Sequence, residues 1–197
     1  MRHEAPTMDY FSSMGHWIVG AFVLAVSILV LLEARGGLSS SFWRFLVPSL
    51  IVSSGLALAL FVIFHAGVDR AYDMLSYALS DPQQIQHFII AGATVLIGLA
   101  EARARSVSFD HSSLRFVWPI AYIVFGFGLM LHKQAGSHAD AIWRYHVLLG
   151  LVVMTAGSAR LLQVSRREWF YSAGNVFAMS LAIEALLLLL FRASHGS

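Results

Sequence analysis

Six continuously apolar runs, separated by short polar stretches, dominate the chain: approximately Trp17–Leu32, Leu46–His65, Pro82–Ala102, Phe116–His132, Ile142–Leu161 and Ala173–Phe191. A helix needs about 20 such residues to cross a hydrocarbon core of roughly 30 Å. In lipid, every backbone polar group must be bonded internally, which leaves helices or closed barrels, and runs this continuous are helices. Tyr10, Trp17, Trp43, Tyr72, Trp143, Tyr145, Trp169 and Tyr171 stand near the run ends, where interfacial aromatics belong. The pattern predicts an all-α integral membrane protein: one polytopic domain over residues 1–197, with short connections and no room for a separate soluble domain.

Composition agrees. Of 197 residues, 58% are hydrophobic and only 12% charged, and mean hydropathy is +0.70. A water-facing surface normally requires about twice that charge. No basic leader with a small-residue cleavage site precedes Trp17, so the first run is expected to be retained. Cysteine is absent, which excludes disulfides, thiolate zinc sites and iron–sulfur ligation. The net charge of +2 comes from scattered loop arginines and gives no patch for nucleic acid.

Basic residues in short loops set orientation. One side carries Arg35, Arg44, Arg103, Arg105, Arg115, Arg160, Arg166 and Arg167; the other carries Arg2, Arg70, Lys133, Arg144 and Arg192 among several acids. This bias places the first group in the cytoplasm of a bacterial inner (plasma) membrane protein, with both termini on the outer, periplasmic side.

The chain also repeats itself. Arg44-Phe45-Leu46-Val47-Pro48 returns as Arg115-Phe116-Val117-Trp118-Pro119, 71 positions later, and His16 and His87 share that offset. Odd-numbered runs end on Glu33-Ala34-Arg35, Glu101-Ala102-Arg103 and Ser158-Ala159-Arg160, and begin at His16, His87 and His146. Even-numbered runs finish at His65 and His132, with His195 beyond the sixth. The unit reads as a helical hairpin present three times, over approximately residues 10–66, 81–133 and 140–195.

Because successive spans run in opposite directions, this pattern gathers His16, His65, His87, His132, His138 and His146 on the outer face. Asp81-Pro82 reads as an N-cap with proline at the first helical position, so His87 falls roughly 9 Å inside at 1.5 Å per residue. Asp140 and His146 repeat that spacing. Imidazoles at such depth need partners, and neutral histidine is the commonest metal ligand. His65, His87, His132 and His146 are the expected inner ligands, with His16 and His138 assisting entry. Met8, Met14, Met74 and Met130 on the same side turn the expectation toward copper, although methionine at helical spacing is more often packing.

Glu184 stands near the middle of the sixth run. It reads either as a neutral acid bonded to Ser53, Ser54 or Thr155, or as a proton or ion relay toward the cytoplasm. Glu33 and Glu101, beside arginines at run ends, read as interfacial ion pairs.

Four functions follow. The first is binding or transport of a transition metal, copper first, at the periplasmic face. The second is a b-type haem cytochrome exchanging electrons with quinol, two histidines serving as axial ligands. The third, ranked lowest, is a zinc hydrolase with Asp69 or Asp73 as base. The fourth is a small haem- or pigment-binding subunit of a larger membrane complex. The general plan, a small helical bundle with outer-face histidines, resembles that of bacterial copper-resistance membrane proteins and is broadly similar to cytochrome b561 proteins. The likeness is one of design and carries no functional residues across.

The cysteine-free background makes the topology directly testable. Single cysteines placed at the C-terminal end of the second run and the N-terminal end of the third should react with an impermeant maleimide from the same side. Labelling from opposite sides would dismantle the shared histidine face.

Overall fold

The computed structural model describes residues 8–36, 41–64, 71–80, 82–107, 112–131, 139–166 and 170–191. The described residues are helical, without strands: α1 Met8–Ala34, α2 Ser41–Phe64, α3 Ala71–Ser80, α4 Pro82–Val107, a 3-10 turn at Ser113–Phe116, α5 Val117–Leu131, α6 Ala139–Ser165 and α7 Phe170–Leu190. All but α3 and the 3-10 turn are long and apolar enough to cross a membrane, which gives the six expected spans. The fold therefore fits a multi-pass membrane protein.

The connection between the second and third spans differs from expectation. It carries α3, a ten-residue helix packed on α2 and α4, where the sequence suggested only a short loop. Tyr72, Asp73 and Leu75 on α3 are exposed.

Each span packs on its neighbour in chain order, and α7 closes the ring against α1. The most extensive interfaces are α5 with α6, α2 with α4, and α1 with α7. All six spans feed one core: Val26 and Val30 from α1, Val47 and Ile51 from α2, Ile97 from α4, Trp118 from α5, Ala156 and Ala159 from α6, and Phe177, Ala178 and Leu181 from α7. The outward faces are equally apolar. Ile120, Val124, Phe127 and Leu131 on α5, and Val176, Met179, Ile183, Leu186 and Leu190 on α7, are exposed at three- and four-residue intervals. An apolar stripe of that extent is stable only against lipid or another apolar surface.

With lipid outside, helices gain little from the hydrophobic effect on meeting, so close backbone approach has to hold them together. Glycine permits it. A Cβ added at Gly126 would lie 2.5 Å from the Gly150 carbonyl oxygen, and one at Gly98 would lie 2.9 Å from that of Pro48. At Gly157 the corresponding distance to the Pro119 carbonyl is 2.8 Å, and at Gly55 it is 2.6 Å to that of Ala91. Gly92, by contrast, faces open space with nothing within 4 Å.

Side-chain bonds to main-chain carbonyls fix the register around α7. Trp17 Nε1 donates to the Phe191 carbonyl at 3.0 Å, and Ser27 Oγ donates to that of Ala178 at 2.9 Å. The Tyr145 hydroxyl donates to the Leu187 carbonyl.

Gly126→Ala and Gly98→Ala should each destabilise the bundle by about 1–3 kcal/mol, the usual range for overpacking. Gly92→Ala should cost nothing measurable. Thermal unfolding in one detergent would read all three, and equal losses at the three sites would refute the close-approach account.

Candidate functional site

Two polar regions lie at opposite ends of the bundle. The first joins the C-terminal ends of α1, α4 and α6. Arg105 on α4 donates from Nη1 and Nη2 to the two Glu33 carboxylate oxygens on α1, at 2.8 and 2.9 Å. Its Nε donates to Glu101 Oε1 at 2.9 Å, one helical turn back. The same Glu101 oxygen accepts from Arg160 Nη2 on α6 at 2.6 Å, and Arg160 Nη1 donates to Gln163 Oε1 at 2.7 Å. The Arg160 guanidinium also lies 5.2 Å from the Trp118 ring and 5.5 Å from that of Phe177. Aromatic faces stabilise a cation that has lost its water.

Local sequence accounts for one further bond. Pro48 stands inside α2 and has no N–H, so the carbonyl four residues earlier, that of Arg44, loses its helical donor. Arg105 Nη1 donates to that carbonyl at 3.2 Å. A single guanidinium thus serves two carboxylates and a proline-orphaned carbonyl, as its fixed fork of donors allows.

Glu101 and Glu33 were read as ion pairs with arginines, and both are ion-paired, Glu101 inside the bundle. The Glu101 side chain is 0% exposed and those of Arg105 and Arg160 are 7% and 4% exposed, whereas Glu33 retains 33%. The partners are Arg105 and the distant Arg160, not the adjacent Arg103. A signal was present in the sequence. His87 precedes Glu101, and His146 precedes Arg160, by the same fourteen residues. Opposite charges therefore stand at matched depth on two parallel spans.

The second region is the histidine end. His16, His87 and His146 occupy the N-terminal portions of the same three helices. His146 is buried, while His16 and His87 are half-buried. The His16 ring stacks on Phe191 at 4.1 Å, Phe191 lies 4.9 Å from Tyr145, and Tyr145 lies 6.2 Å from His146. An aromatic cluster at the end of α7 thus connects His16 of α1 to His146 of α6. His65, His132 and His138 lie outside the described residues, as do Asp69 and Asp81. Among the described residues, no three His, Asp or Glu side chains come together as a metal-binding group. Met130 packs its side chain against Gly150, which accords with the packing reading of methionine.

Glu184 is buried in α7 between the two ends, and its Oε2 has no hydrogen-bond partner among the described residues. Of the partners expected for it, Ser53 is exposed and Thr155 donates to its own helix at Leu151.

The chain matches no protein-family profile, no curated protein and no solved structure.

Removing one member of a buried ion pair typically costs about 3–5 kcal/mol. Glu101→Ala should lose stability in that range. Glu33→Ala, at a side chain one-third open to solvent, should lose only about 1 kcal/mol. Unfolding midpoints in detergent would compare them, and a Glu101→Ala loss no larger than that of Glu33→Ala would contradict the assigned burial.

Proposed function

We propose that the chain is an inner-membrane protein that binds, and in one form of the reading transports, a transition metal at its histidine end, with copper the first candidate. The observation that carries this is register. The bonds joining Glu33, Glu101, Arg105 and Arg160 hold three parallel helices level at one end. His87 and His146 each stand fourteen residues before their network residue, roughly 21 Å along the helix, and His16 stands seventeen before Glu33. On rigid helices His87 and His146 then share one depth, with His16 about 4.5 Å farther along its own helix. His65 and His132, at the ends of the antiparallel spans, are the proposed further ligands, and His138 the entry residue. Two or three imidazoles with a methionine or carboxylate suit copper among the abundant metals.

The threefold hairpin repeat, with both termini outside, belongs to the same reading. Helix contacts support it. Pro48, Val52 and Gly55 of α2 meet Gly98, Val95 and Ala91 of α4, while Pro119, Ile123 and Gly126 of α5 meet Gly157, Met154 and Gly150 of α6. The first sets are offset by 71 positions and the second by 59, and His87 and His146 share the offset of 59.

A b-type haem is the second reading. It is favoured by one observation: no described trio of ligands converges, and an axially held haem needs only two histidines. In that form the partner would be quinol or a neighbouring redox subunit.

Elemental analysis and a visible spectrum on one purified sample separate these readings. Near-stoichiometric copper that falls at least several-fold in the double variant His87→Ala, His146→Ala is the expected result. A Soret band lost in the same variant would select haem. Neither metal nor chromophore, after expression with added copper and haem, would overturn both.

A further inference from the structure

Glu184 belongs to neither polar region. The next turn of α7 packs on α1 and α6 through apolar groups: Gly20 lies against the Ala185 carbonyl and Leu188, and Leu149, Val153, Val19 and Val23 belong to the cluster around Leu188. Along α1 and α6 the nearest ionisable groups are His16, Tyr145 and His146 toward one end, and Glu33 and Arg160 toward the other. From α5, however, Tyr122 packs against both core clusters, to which Leu181 and Leu188, on either side of Glu184, belong. Tyr122 also borders a cavity of about 30 Å³ inside the ring, whose walls include Ser54, Thr94 and Trp118. A space of that size holds one or two waters when enough polar groups face it, and three hydroxyl-bearing residues line this one.

An ionised carboxylate without a donor, buried in an apolar bundle, is costly, whereas a neutral carboxylic acid is far less so. We infer that Glu184 and Tyr122, beside the small cavity at Ser54 and Thr94, form an internal proton-binding site midway through the bundle. The ligand is a proton held on the Glu184 carboxyl, and the tyrosine hydroxyl is its route of exchange. The site is independent of what the histidines hold.

Infrared spectroscopy of the metal-free protein in lipid vesicles tests this at neutral pH. A carboxylic-acid C=O band is expected in the wild type and absent from Glu184→Gln. It should move on transfer to D2O and move again in Tyr122→Phe. Glu184→Leu repeats the deletion should the Gln variant fail to fold, and the wild-type D2O shift needs no variant at all. Absence of the band, or its persistence in both Glu184 variants, would overturn the site. A band indifferent to D2O and to Tyr122→Phe would do the same, marking a sealed acid with no exchange route. His87→Ala, His146→Ala should leave the band in place, so its loss and loss of metal are separable.

Discussion

The arrangement of the bundle depends on a carboxylate that has given up all contact with water. Glu101 is fully buried, and it is tolerable only because two guanidinium groups from different helices share one of its oxygens. With Glu33 included, the cluster holds two acids and two arginines and is formally neutral. Its members cannot drift apart without stranding a charge in a medium that solvates it poorly. Three helices, α1, α4 and α6, are therefore locked together at one end. Arg105 extends the lock to α2 by bonding the Arg44 carbonyl that Pro48 leaves without a donor. Arginine serves here where lysine would not, because its planar fork reaches several acceptors at once.

The rest of the bundle is held by closeness rather than by hydrophobic burial. Inner and outer faces are both apolar, so a solvent of lipid gives helices little reason to associate. Glycines at Gly55, Gly98, Gly126, Gly150 and Gly157 let backbones approach until a methyl group would collide. Dispersion contacts and side-chain bonds to carbonyls, such as those of Trp17 and Ser27, then become effective. One end fixed by charge and the shafts fixed by close contact leave the histidine end as the place where the three parallel helices terminate at comparable depth.

Function enters through the contrast between the two ends. At the charged end, carboxylates and guanidinium groups are turned on one another, which suits a structural lock. At the histidine end, His16, Phe191, Tyr145 and His146 form a chain of ring contacts at the rim of the bundle. Between them, a lone acid and a small cavity interrupt an otherwise apolar interior. Lock, acid and imidazoles thus occupy successive depths of one bundle.

The sequence by itself determined the number of spans, their approximate limits and the presence of histidines at matched positions. Each of these follows from a local property: apolar run length, backbone satisfaction in lipid, and 1.5 Å of rise per residue. It did not reveal α3, whose ten residues are too short for a run-length signal. The arginines illustrate the difference most clearly. Arg105 and Arg160 look like ordinary loop basics at the ends of apolar runs, and they entered the orientation argument in that role. Only tertiary structure decided that they lie inside the bundle on Glu101, because a salt bridge between residues 59 positions apart depends on how two helices are placed side by side. Run length and charge count are properties of one segment, whereas burial and pairing belong to several, and so only the assembled fold could settle them.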